Sequence, residues 1–148
     1  MEWTRDKFTV TTDKTRLDRS VIERFLGSSY WAENIPRNTV DKSIDNSLCF
    51  GLLEEHRQIG FARVVTDSAT FAYLADVFVL PEHRGAGLGK WLIECVVSHP
   101  ELQGLRRWLL GTRDAHGLYR QFGFTPLKRP EIFMEIVNPD VYRAGKGR

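Results

Sequence analysis

The chain has only two cysteines, Cys49 and Cys95, among 148 residues, and both sit in apolar settings. That excludes a disulfide framework and fits two buried thiols in a reducing compartment. No apolar run approaches the ~18 residues that cross a membrane. The opening stretch M-E-W-T-R-D-K lacks the apolar centre of a signal peptide. Charge of one sign is scarce as well: the net formal charge is +2, so there is no field for general attraction to nucleic acid or to a membrane surface. The basic tail at 143–148 reads, from its glycines, as a frayed terminus and not a binding arm. The four histidines and two cysteines have no metal-ligand spacing, and no metal is expected. Repeats, low-complexity runs and linkers are also missing. Residues 1–148 are therefore expected to form one cytoplasmic domain, without nucleic-acid or membrane partners and with a homodimer left open.

What is present follows a clear order. Residues 8–11 alternate weakly as a first strand. Ser20 and Glu23 match a capping box, and Val21, Ile22, Phe25 and Leu26 follow at helical spacing until Gly27-Ser28-Ser29. Residues 40–46 read as a short second helix. Apolar runs at 48–53, 59–66 and 71–80, parted by polar turns, predict an antiparallel meander. Leu88, Trp91, Leu92, Cys95 and Val96 share one face of a helix over 87–98, which His99-Pro100 ends. A strand over 107–111, a short helix over 114–122 stopped by Gly123, and a last strand over 132–137 complete the order. The fold class is α+β, a mixed, mostly antiparallel sheet of about six or seven strands with about four flanking helices. The strand ending at 80 and the one starting at 107 are joined through a helix, so they should be parallel neighbours.

Residues 79–90, V-L-P-E-H-R-G-A-G-L-G-K, hold the densest chemical signal. A strand closes at Pro81, and glycines at 85, 87 and 89 lead into a helix. Glycine lets the backbone turn sharply and bring N–H groups together, while the helix start adds unpaired N–H groups and a positive dipole end. Such a corner suits a phosphate. A P-loop is excluded, because Trp91 follows Gly89-Lys90 where a hydroxyl must hold Mg²⁺, and Arg84 stands at the first glycine. The dinucleotide fingerprint is excluded too: the spacing is wrong, and no acidic residue ends a second strand about 20 residues on.

Arg84, Gly87 and Gly89 satisfy R-x-x-G-x-G after a strand closed by V-x-P, and residues 115–124 read A-H-G-L-Y-R-Q-F-G-F one helix and one strand later. The two segments resemble, in order and spacing, the acetyl-CoA pyrophosphate loop and the downstream A-x-x-L-Y-x-x-x-G-F signature of the GNAT superfamily of N-acetyltransferases. The resemblance covers residues 52–127, about half of the chain. It implies that the parallel strands splay to admit pantetheine, with the backbone of Phe78 and Val79 pairing to it. It also implies that N–H groups of Gly85, Ala86, Gly87, Leu88, Gly89 and Lys90 take the pyrophosphate of acetyl-CoA. Tyr119 matches the tyrosine that protonates the departing sulfur. Thr112 stands where many relatives carry asparagine, and its hydroxyl can still donate to pantetheine. Tyr30 and Trp31 fall where family members shape the acceptor pocket.

Asp76 is read from the residues themselves: a carboxylate in an apolar strand needs a purpose. It either draws a proton from the amine through water, or binds the ammonium, or pairs with an arginine such as Arg63. Strict alternation puts it on one face with Leu74 and Phe78. Glu82 and His83 read as loop residues, Asp114 as a helix N-cap and His116 as facing solvent or CoA. Arg106, Arg107, Arg113 and Arg120 serve the 3′-phosphate or are surface charge. With no G-x-S-x-G or other activated nucleophile, the expected activity is direct acetyl transfer to a primary amine of a small molecule or protein. The alternative is a CoA-binding sensor with little turnover.

Overall fold

The computed structural model describes residues 1–143; the tail at 144–148 lies outside the described residues. Its sheet has six strands: β1 (Glu2–Arg5), β2 (Phe8–Thr11), β3 (Leu48–Glu54), β4 (Arg57–Thr66), β5 (Phe71–Val79) and β6 (Arg107–Leu110). They lie in sequence order, with β5–β6 parallel and every other pair antiparallel. Four helices flank them: α1 (Arg19–Gly27), α2 (Arg37–Asp45), α3 (Leu88–Val97) and α4 (His116–Arg120). The meander and the parallel pair match the expectation. β1 was not foreseen; its residues E-W-T-R show little apolar pattern, and it exists because Trp3 packs against Phe50 while the backbone pairs with β2.

The sheet is buried on both faces. Phe50, Leu52, Ala62, Val64, Ala72 and Leu74 join Trp91, Leu92 and Val96 of α3 on one side. Cys49, Phe61 and Phe78 meet Ile22 and Leu26 of α1 and Val40 and Ile44 of α2 on the other. Cys49 and Cys95 are free thiols inside these two cores. The middle strands approach closely at Gly60, where a Cβ would stand 2.9 Å from the Phe78 carbonyl.

Two end signals differ from the sequence reading. Ser20 and Glu23 form no capping box; the Asp18 carboxylate caps α1 by accepting from the N–H groups of Ser20 and Val21. Aspartate accepts more strongly than a serine hydroxyl and stands one residue before the helix, so the cap moves upstream. The strand expected at 132–137 does not form. Residues Pro130–Ile132 make a single 3-10 turn, and residues 133–138 have no regular structure, with Met134 and Ile136 fully exposed. The segment finds no ladder partner among the described residues, and an alternating pattern alone cannot make a strand.

Asp18→Ala should cost about 1 kcal/mol of unfolding free energy, whereas Ser20→Ala should stay within about 0.5 kcal/mol. Urea denaturation followed by far-UV circular dichroism measures both. Equal losses at the two positions would restore the capping box.

Candidate functional site

Two features of β5 build the site. The parallel ladder with β6 stops at Leu74 and Leu110, but β5 continues five residues further, so beyond Leu74 the two strands part. Asp76 also sits at φ +56°, and the register against β4 shifts between Phe61 and Arg63. This is a β-bulge, which bends a strand and re-aims its side chains. Strict alternation therefore fails: Leu74 packs toward α3, while Phe78 stacks on Phe25 of α1 with ring centroids 4.0 Å apart. Asp76 does not share a face with both of them.

The Asp76 carboxylate is fully engaged. Arg63 Nε donates to Oδ2 at 2.7 Å, and Trp31 Nε1 donates to Oδ1 at 2.9 Å. Arg63 is held in turn through Nη1 by the Ser47 hydroxyl. Of the alternatives open in the sequence, the arginine pair is the one formed, and the carboxylate also anchors the indole. Trp31 meets Tyr30 edge-on at 5.1 Å. Tyr30 lies under the Arg113 guanidinium at 3.9 Å and accepts from the Arg113 backbone N–H. Arg113 has no acidic partner among the described residues.

These groups line a cleft of about 710 Å³ between the α1–α2 connection and the parted strands, reaching Thr112 and Tyr119. Tyr142 lines it too, a contribution that nothing local in the C-terminal sequence signals. A second cleft of about 260 Å³ lies along β6 and α4 and shares Thr112 and Tyr119 with the first. Tyr119 thus stands where the two meet. It is mostly buried, its ring set edge-on against Phe124 at 5.9 Å, and its hydroxyl has no hydrogen-bond partner among the described residues. Burial, with a smaller contribution from Tyr30, pushes the phenol up to about 12. The Thr112 hydroxyl accepts from the Ala115 N–H ahead of α4. Asp114 does not cap that helix as the sequence suggested: Ala115 holds the cap position, and no side chain caps the helix.

The glycine loop follows β5. Gly85 and Gly87 have φ of +88° and +78°, and a Cβ on either would meet no atom within 4 Å. Gly87 caps α3 with no side-chain cap. None of the N–H groups of Gly85, Ala86, Gly87, Leu88, Gly89 and Lys90 reaches a backbone carbonyl outside its own helix, nor a side-chain acceptor among the described residues. A run of unengaged N–H groups at a helix start, with open space at Gly85 and Gly87, suits a diphosphate. Arg84 turns back, its Nε donating to the Val79 carbonyl at 2.8 Å, and so braces the loop onto the strand. His83, with its Nε2 3.1 Å from Glu54 Oε1, ties the loop base to β3. Glu82 and His116 are exposed, as the sequence implied. The described residues hold no group of three metal-ligating side chains, and no helix among them is long and apolar enough to cross a membrane.

Arg63→Met would leave the Asp76 carboxylate without its cation at a site where both side chains are largely covered. The expected cost is about 3 kcal/mol in urea denaturation, with a shift in Trp31 fluorescence as the indole loses its fixed acceptor. A cost below about 1 kcal/mol would mean that the pair is effectively solvated.

Comparison with known proteins bears on the family and the fold. The Acetyltransferase (GNAT) domain profile matches residues 45–126. The crystal structure of an assigned GNAT-family acetyltransferase from Xanthomonas campestris pv. campestris aligns with a TM-score of 0.90 at 52% identity, covering 92% of this chain and 96% of that one. An assigned acetyltransferase of Gibberella zeae is 35% identical over 140 aligned positions, covering 79% of this chain and 78% of that protein. An assigned acetyltransferase of Clostridium acetobutylicum, solved with acetyl-CoA, shares the fold at 12% identity, with a TM-score of 0.59 over 88% of this chain and 94% of that one.

Proposed function

Because this chain belongs to the GNAT superfamily of acetyltransferases, we propose that it carries the acetyl group of acetyl-CoA to a primary amine of a small molecule by direct attack, with both substrates bound. The observation that carries this reading is the parting of β5 from β6 beside the unengaged loop N–H groups, with the free Tyr119 hydroxyl between the two clefts.

Acetyl-CoA supplies the activated thioester. The N–H groups of Gly85 through Lys90 hold its diphosphate, Arg84 keeps that loop in place, and the main chain of Phe78 and Val79 extends the sheet toward the pantetheine arm. The Val79 carbonyl is already taken by Arg84, so Val79 serves chiefly through its N–H. Thr112 adds a hydroxyl at the same gap. Tyr30 and Trp31 form the acceptor wall, where aromatic faces attract an ammonium. Asp76 fixes that wall and adds negative charge to it. A primary amine with a pKa near ~10.4 must lose a proton before it attacks, and water in the open cleft takes that proton. Tyr119 stays protonated and donates a hydrogen bond to the sulfur as the C–S bond breaks, and water supplies the thiolate's proton.

Tyr119→Phe should lower kcat about 100-fold while calorimetric affinity for acetyl-CoA is unchanged. Full turnover without the hydroxyl would remove Tyr119 as the donor. A phenol whose ionisation is raised to about 12 remains neutral up to pH ~10, so an alkaline loss of kcat below that pH should persist in the variant. Gly87→Glu places a carboxylate on the phosphate cradle, at a left-handed backbone position that has open space but strains any side chain. The KM for acetyl-CoA should rise about tenfold, equivalent to ~1.4 kcal/mol, with the amine KM little changed. Screening an amine panel with a free-thiol readout identifies the acceptor; acetylation of no amine in a broad panel would favour a CoA-binding module.

A further inference from the structure

Three charged side chains line the cleft of about 710 Å³ that holds Tyr30 and Trp31: Arg63, Asp76 and Arg113. Arg63 and Asp76 are bound to each other at 2.7 Å, and over the cleft as a whole their charges offset. The Arg113 guanidinium has neither an acid nor any other hydrogen-bond acceptor among the described residues. The lining therefore keeps one positive charge in excess. An acceptor whose only charge is an ammonium would be repelled by it.

Arg113 is also held in place. Its backbone N–H donates to the Tyr30 hydroxyl at 3.0 Å, and its guanidinium lies over the Tyr30 ring at 3.9 Å. Contact with an aromatic face steadies a guanidinium, while its N–H fork stays available to an anion. The other arginines that the sequence offered for a phosphate stand elsewhere. Arg120 lines the cleft along α4, and Arg106 and Arg107 line a groove beside β6. Of the four, Arg113 alone opens on Tyr30 and Trp31.

The aromatic pair thus has two poles. Trp31 is bonded to the Asp76 carboxylate, Tyr30 carries the Arg113 guanidinium, and the two rings meet edge-on at 5.1 Å. We propose that the acceptor is an amine that also carries an anionic group, a carboxylate or a phosphate. Arg113 binds that group, and the nitrogen lies toward Trp31 and Asp76. The proposal rests on acetyl transfer at this cleft and names the class of amine the cleft takes. Polyamines, with positive charge only, are disfavoured.

Matched pairs of amines test this: α- and ω-amino acids and amino-sugar phosphates, each beside its counterpart lacking the anionic group. Calorimetry on the complex with CoA, which has no acetyl group to transfer, reads binding apart from turnover. The anionic member of the responding pairs should bind about tenfold tighter, and free-thiol release with acetyl-CoA should follow the same order. Whether the carboxylate or the phosphate pairs respond identifies the anion. Arg113→Gln keeps the backbone bond to Tyr30; it should erase the preference and leave the KM for acetyl-CoA unchanged, while Arg113→Lys should restore part of the preference. Equal binding within every pair, or a preference that survives Arg113→Gln, would overturn the proposal. So would an Arg113→Gln defect confined to acetyl-CoA affinity, which would assign the residue to the 3′-phosphate of the coenzyme. Anion-dependent binding without acetylation of any amine would instead keep the anion site and overturn acetyl transfer.

Discussion

The bulge at Asp76 is the constraint on which the rest of the molecule turns. Upstream of it, β5 pairs with β6; downstream, it pairs with β4 alone and leaves a gap. A non-glycine residue at φ +56° stores roughly 1 kcal/mol or more of strain, and aspartate tolerates that region better than most residues. The Arg63 guanidinium and the Trp31 indole hold the carboxylate that pins the bulge. One ion pair therefore does two things: it fixes the point where the sheet opens, and it fixes the aromatic wall facing the opening. The site and the strain share the same residues.

The gap has unlike ends. The glycine loop offers backbone groups: six N–H groups without an acceptor among the described residues, two left-handed glycines and an arginine that braces instead of reaching outward. Backbone recognition depends on chain path more than on side-chain identity, so it is the part best suited to a fixed handle such as a diphosphate. Toward α1 and α2, the cleft is lined by side chains, among them Tyr30, Trp31, Arg113 and Tyr142. Those positions can change without disturbing the ladder.

That division explains what the sequence made legible. The glycine loop and Tyr119 lie in short local motifs, where spacing alone fixes local geometry: the loop follows β5 and Tyr119 lies on α4. The meander was legible because its apolar runs are long and bounded by polar turns. The bulge was not: its signal is a single aspartate in an apolar strand, which raises the question of a partner without giving the backbone angle. The Trp31–Asp76 bond spans 45 residues of sequence, and no periodicity encodes such a contact. The strand expected at 132–137 failed for the opposite reason. Its pattern was correct for a strand, but pairing needs an edge, and the edge is not a local property.

In the proposed reaction, Tyr119 would set a limit on how the sulfur gains its proton. Its burial raises the phenol to about 12, while thiols ordinarily ionise near ~8.5, so complete transfer from the phenol to the departing thiolate runs uphill. The hydroxyl is better suited to donating a short hydrogen bond as negative charge grows on sulfur, which stabilises the transition state without a finished transfer. Water entering the cleft can then complete protonation after the acetyl group has left. The same burial keeps the hydroxyl neutral at every physiological pH, so the donor is always in its working form. In this molecule the raised ionisation point weakens Tyr119 as an acid and secures it as a hydrogen-bond donor.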